Sequence, residues 1–169
     1  MSSTKFDLQQ LNVRQLEEQT DISGFDCSKE DVLGLNEFIH KEAKQYQKNC
    51  MGSTYLFHFQ SVFVGYVTVA MYAIEVKETR LRIVTNEKRY PALLLGRLGV
   101  HNDYRKRNIG RSICLWTIGL ATEFSKKVGC RFVIVLTSPE IISFYEKCGF
   151  VICPKYEKKK KVLMYFQIS

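Results

Sequence analysis

Apolar positions along the chain change period several times. Between 27 and 48 they fall at Val32, Leu35, Phe38, Ile39, Ala43 and Tyr46, the spacing of one or two amphipathic helices, with Ser28 as the expected N-cap. Residues 54–59 and 62–71 are aromatic and β-branched, and Gln60-Ser61 joins them tightly, which predicts a β-hairpin. After a polar, basic segment, residues 92–100 (Ala-Leu-Leu-Leu-Gly-Arg-Leu-Gly-Val) read as a mostly buried strand. Residues 109–128 carry Ile113, Trp116, Leu120 and Phe124 on one helical face, and 131–136 form a second buried strand. Ser138-Pro139-Glu140 then supplies an N-cap, a proline at the first helical position and an acid in the first turn, opening a short helix that Gly149 ends. Residues 162–166 are a last strand, with a charged turn expected over 158–161.

This order predicts an α/β (mixed α+β) chain folded as one domain over residues 1–169, with a core from about 25 to 166 and neither internal repeat nor low-complexity linker. Composition agrees: 169 residues with 46% apolar and 25% charged are enough to bury a sizeable core. No run of about 18 uncharged apolar residues occurs, and the polar start Met-Ser-Ser-Thr-Lys-Phe-Asp lacks the apolar segment of a signal peptide. A cytoplasmic protein with no membrane partner is expected. Six cysteines without a Cys-x-x-Cys pair argue against disulfides, and the lone histidines 40, 58 and 101 against a metal site.

Charge changes the picture more than composition does. Residues 1–79 hold 7 Lys/Arg against 11 Asp/Glu, whereas residues 80–169 hold 18 against 6. The positive field belongs to the second half, either as a solvated basic face or as a surface for an anionic ligand or nucleic acid.

The strongest candidate chemistry lies at 104–113, Tyr-Arg-Lys-Arg-Asn-Ile-Gly-Arg-Ser-Ile, between a buried strand and a helix. A helix N-terminus offers unpaired N–H groups and partial positive charge, Gly110 permits close approach, and Arg105, Lys106, Arg107 and Arg111 add full charges for further phosphates. Taken alone, a basic turn capping a helix explains the same residues. The spacing Arg105-x-x-Asn108-x-Gly110, however, resembles the Arg/Gln-x-x-Gly-x-Gly/Ala signature of the Gcn5-related N-acetyltransferases, the GNAT superfamily. Asn108 stands where that family usually has glycine, and asparagine is the next most tolerant residue at positive φ. Residues 138–150, Ser-Pro-Glu-Ile-Ile-Ser-Phe-Tyr-Glu-Lys-Cys-Gly-Phe, resemble a second family segment, a short helix ending in Phe-Tyr-x-x-x-Gly-Phe.

The resemblance implies a twisted, mixed, mostly antiparallel sheet with helices on both faces, and acetyl-CoA held where two parallel strands splay. It implies backbone contacts to the pantetheine from Leu98, Gly99 and Val100. The pyrophosphate would lie against the backbone of Arg105, Lys106, Arg107, Asn108, Ile109, Gly110 and Arg111. Tyr145 would be the general acid for the departing thiolate, the alternative being a core aromatic. Cys148, one helical turn later, is expected to be a buried structural thiol, although its position leaves a covalent relay open.

Residues 25–151 further resemble the GNAT toxins of toxin–antitoxin operons, above all Tyr90-Pro91-Ala92-Leu93-Leu94-Leu95-Gly96-Arg97-Leu98-Gly99-Val100. That likeness implies the α-amine of aminoacyl-tRNA as acceptor, with a cognate antitoxin and a homodimer among the partners. Elementary chemistry points the same way. At pH 7 a lysine amine of pKa about 10.4 is only about 0.04% neutral, while an α-amine near 8 is about 10% neutral, so the latter barely needs a base. The strand from Leu93 to Val100 carries no carboxylate or histidine, which leaves Glu140, Tyr55 or a water chain to take the proton. Arg89 and Arg97 are the expected substrate-binding cations, alongside Arg80, Arg82 and Lys88. Two other classes remain open at this level: an acetyltransferase for a small amine or a protein N-terminus, and a non-catalytic CoA-binding module.

Overall fold

The computed structural model describes residues 8–79, 86–154 and 160–169. Its strands are β1 (Leu11–Gln15), β2 (Ser53–Phe59), β3 (Val62–Glu75), β4 (Arg89–Val100), β5 (Phe132–Thr137), β6 (Val151–Ile152) and β7 (Val162–Gln167). The helices are α1 (Leu35–Glu37), which runs through a π-helical stretch (Phe38–Glu42) into α2 (Ala43–Lys48), then α3 (Ile109–Lys127) and α4 (Ile142–Lys147). The strands form one seven-stranded sheet in the order β1-β2-β3-β4-β5-β7-β6. β1/β2, β5/β7 and β6/β7 are antiparallel, and β4/β5 is the parallel pair. Its ladder begins at Ala92–Phe132 and ends at Leu95–Val135, while β4 continues to Val100.

The chain divides into two compact units, residues 1–68 with 97–113 and residues 69–96 with 114–169, so β3, β4 and α3 contribute to both. In the first unit Leu16, Phe25, Cys27, Phe38, Ile39, Leu56 and Tyr66 form the core. Its buried hydroxyls Thr54 and Thr68 satisfy each other at 2.7 Å, which removes the cost of burying either alone. In the second, Ile74, Tyr90, Ala92, Phe132, Ile134, Leu163 and Tyr165 pack together. Near-continuous apolar runs in β4 and β5 are what a strand covered on both faces requires.

The expected hairpin is present. Gln60 and Ser61 take φ 47° and 67°, the paired left-handed residues of a two-residue turn whose twist matches the strands. The expected helix over 27–48 is corrected at its start. Ser28 is not the cap, because the chain stays irregular until Gly34, at φ 69°, turns it into α1. Asp31 does the capping: its two carboxylate oxygens accept the N–H groups of Leu35 and Asn36, each at 2.8 Å. Val32, assigned to the apolar face by periodicity, is therefore 71% exposed. β1 precedes the core expected from residue 25, and its five residues alternate too weakly to predict a strand. β4 begins at Arg89, three residues before its apolar run. Pro139 and Gly149 (φ 92°) bracket the short helix as expected. Of the charged turn over 158–161, residues 158 and 159 lie outside the described residues, as do Arg80 and Arg82.

Candidate active site

The end of β4 and the turn after it are held by packing beneath the strand and hydrogen bonds behind the turn. Under the strand, Gly99 is buried because Tyr66 occupies the space a side chain would need; a Cβ there would lie 2.5 Å from the Tyr66 ring and 3.3 Å from the Cys27 sulfur. Behind the turn, the Asn102 N–H donates to Asp26 O at 2.8 Å, Asn102 Oδ1 accepts from Lys29 N–H at 3.1 Å, and the Arg105 guanidinium donates to Cys27 O at 3.1 Å. His101 Nδ1 accepts the Asp103 N–H at 3.2 Å and starts a single 3-10 turn. Residues 26–29 thus anchor the turn from outside. Local pattern could not reveal them, because the partners are more than 70 positions away.

Within the turn the backbone alternates hand. Arg105 is extended, and Lys106 and Asn108 adopt φ 59° and 62°. Asn108 accepts the left-handed conformation that glycine has in the resembling signature. Lys106 accepts it too, at a cost of order 1–3 kcal/mol that surrounding structure must cover. Ile109 is buried and pins the start of α3. The first helical bond there is Ser112 N–H to Asn108 O at 3.0 Å, so the N–H groups of Ile109, Gly110 and Arg111 precede any acceptor in the helix. A backbone concavity of alternating hand at a helix N-terminus is an anion nest. Lys106, Arg107, Asn108 and Arg111 are exposed around it, with Arg107 5.1 Å from the Tyr104 ring centre. The Arg105 side chain is committed to the protein, leaving its backbone for a phosphate.

A family model for the acetyltransferase (GNAT) domain matches residues 53–152, more than half of the chain and the whole of this region. The chain belongs to the GNAT acetyltransferase family. It is an acetyl-CoA-dependent N-acetyltransferase, and the nest fits the diphosphate of that molecule in backbone donors, hand and charge. Comparison with curated protein sequences gave no match. Among solved structures, AtaT complexed with acetyl-methionyl-tRNAfMet superposes with TM-score 0.81 at 19% identity, over 93% of this chain and 94% of that one. A tyrosine-to-phenylalanine mutant of KacT gives 0.81 at 20%, covering 94% and 95%. AtaTR bound with AcCoA gives 0.75 at 20%, covering 94% of each. At such identities the likeness establishes the fold.

Arg97, Leu98, Gly99, Val100 and 105–111 of this GNAT protein fall in the first unit, whereas Arg89 and Tyr145 fall in the second. Arg89 is exposed at the start of β4. Tyr145 is 6% exposed, edge-on to Phe144 at 4.9 Å and Phe150 at 5.5 Å. Burial, followed by the neighbouring Cys114 and Cys148 thiols, pushes its hydroxyl above the ordinary tyrosine range, so it keeps its proton throughout neutral pH. Cys148 is buried and hydrogen-bonded to Cys114, whose own thiol is raised by that bond and by burial. Cys27 is pushed up to about 12, by burial first and Asp31 second. Neither Cys114 nor Cys27 is poised as a thiolate nucleophile.

Glu140 goes the opposite way. Its own backbone N–H, then the Ser138 side chain, hold its carboxyl below the usual range, which makes it a poor proton acceptor. His101, the residue after β4, spends Nδ1 on its cap. Among the described residues no helix is long and apolar enough to cross a membrane, and no group of three or more metal-ligating side chains occurs.

Proposed function

We propose that this GNAT protein acetylates the α-amine of aminoacyl-tRNA in the cytoplasm, blocks translation by doing so, and is held in check by a cognate antitoxin. The observation that carries the reading is that the strand leading into the nest carries no general base. β4 from Leu93 to Val100 has no carboxylate or histidine, and the Glu140 carboxyl is held below the usual range. An enzyme so equipped suits an amine that is substantially neutral already, and the amine of an aminoacyl ester is weaker still than a free α-amine. The excess of 18 Lys/Arg over 6 Asp/Glu in residues 80–169 exceeds what the CoA phosphates need. The similar fold of AtaT, which is complexed with acetyl-methionyl-tRNAfMet, lends further support.

Bound acetyl-CoA supplies the activated acetyl thioester. The nest at Arg105–Arg111 would hold its diphosphate, and the Leu98–Val100 backbone would orient the pantetheine. The neutral amine nitrogen attacks the thioester carbon directly, forming the C–N bond as the C–S bond breaks. Tyr145 would give its phenolic proton to the departing sulfur and recover one from water, which takes up the ammonium proton. The test is a cell-free translation reaction with the purified protein, with and without acetyl-CoA, followed by mass analysis of the charged tRNA. Acetyl-CoA-dependent arrest with acetylated aminoacyl ends is expected. Undiminished translation, together with turnover of small amines, would replace the acceptor.

A further inference from the structure

We propose that Phe38, Tyr46 and Arg97 form a platform for the single-stranded end of the acceptor RNA, with Arg97 taking the phosphodiester next to the aminoacylated nucleotide. The inference rests on the aminoacyl-tRNA reading above and names the part of that substrate which is recognised.

The Arg97 guanidinium carbon lies 3.9 Å from the Phe38 ring centre and 5.8 Å from that of Tyr46, and the two rings meet edge-on at 5.6 Å. Phe38 is 2% exposed, while Tyr46 and Arg97 are half-buried, so the cation covers a core ring and shares the surface with a second aromatic. The Arg97 side chain makes no hydrogen bond or ion pair with another described residue. Asp31 in the same unit is already spent, both oxygens being taken by the backbone of α1. A partly desolvated cation without a counter-anion is costly unless something supplies one.

Geometry narrows the anion. With its carbon 3.9 Å over the Phe38 ring, the guanidinium keeps the donors of its planar fork, whose geometry takes two oxygens of one phosphate. A half-buried tyrosine beside it offers a stacking face, and stacked aromatics with arginine are the recurring equipment for single-stranded nucleic acid. Strand alternation separates the tasks. Residues 97 and 99 share the face towards Tyr66 and Cys27, opposite Leu98 and Val100. The π-helical stretch that begins at Phe38 rotates the helix away from its regular phase, a departure often associated with binding sites. The CoA diphosphate has its own nest at 105–111, which leaves Arg97 for the acceptor.

The experiment compares two acceptors, aminoacyl-tRNA and an aminoacyl-adenosine that lacks any phosphate, with the unaltered protein and with Arg97→Lys, Arg97→Gln and Tyr46→Leu. The ratio of kcat/KM for RNA over nucleoside is expected to fall by about 10- to 100-fold in both Arg97 variants, chiefly through KM, and by about 10-fold in Tyr46→Leu. Arg97→Lys belongs in the set because it keeps the charge and loses the fork. With the unaltered protein, the dinucleotide cytidylyl-adenosine should inhibit the RNA reaction at concentrations where cytidine plus adenosine do not, a readout that needs no variant. An unchanged ratio in the variants, equal loss on both acceptors, or no advantage of the dinucleotide would overturn the platform while leaving the enzyme's substrate intact. If the unaltered protein acetylates no aminoacyl-tRNA, the underlying reading falls and the platform with it.

Discussion

Tyr145 carries the sharpest prediction at the scale of single residues. Its ring packs between Phe144 and Phe150 in the second unit, so Tyr145→Phe keeps the packing and removes only the hydroxyl. A positioned general acid contributes about 10²- to 10⁴-fold, and kcat should fall by about 10²-fold or more with CoA affinity nearly unchanged. The direction of its pKa shift adds a second expectation. Burial raises the hydroxyl above its ordinary value of 10.0, so the acid form persists at every pH below that value. The pH profile of kcat/KM for the acceptor should therefore rise as the amine loses its proton and then stay level, without a descending limb, up to about pH 10. A fall beginning near pH 8 would assign the acid to another group. Full activity in the phenylalanine variant would make Tyr145 a core aromatic and return the proton to water.

At the scale of elements, the turn from β4 into α3 works because backbone hand, helix end and anchoring residues agree. Asn108→Val would place a β-branched side chain at φ 62°, where such residues are strained by more than 1 kcal/mol, and the nest should lose its shape. Gly110→Asp attacks the same element differently, by setting a side chain and a like charge against the diphosphate. Calorimetry should show acetyl-CoA affinity reduced by an order of magnitude or more in both variants, with far-UV circular dichroism unchanged. Asn108→Gly is the control: it restores the residue of the resembling signature and should bind at least as well as the unaltered protein. Equal affinity across all three would remove the nest from the cofactor site.

At the scale of the whole molecule, the separation of charge along the chain governs association. Arg89 is exposed at the start of β4, outside the nest at 105–111. Arg89→Glu should raise KM for charged tRNA several-fold and reduce the slope of log KM against log salt by about one, while acetyl-CoA binding stays level. Indifference of the RNA reaction both to salt and to this substitution would favour a small-amine acceptor.

What the sequence by itself determined was everything that depends on near neighbours. Period-3.6 spacing located α3, paired turn residues located the β2–β3 hairpin, and Pro139 with Gly149 bracketed α4. The motif spacing placed the nest at 105–111, and positive φ at Asn108 follows from the tolerance of that side chain. Distant partners decided the rest. Asp31, not Ser28, starts the first helix because only the folded chain brings its carboxylate onto the N–H groups of Leu35 and Asn36. β1 exists because Leu11–Gln15 finds the edge of β2, a pairing that five weakly alternating residues could not announce. Residues 26–29 anchor the nest across more than 70 positions, and Arg97 meets Phe38 and Tyr46 across more than 50. Local propensity and turn chemistry act over a few residues and are written where they act. Hydrogen-bond satisfaction and the pairing of a partly buried charge are settled only when tertiary packing chooses which distant groups face one another.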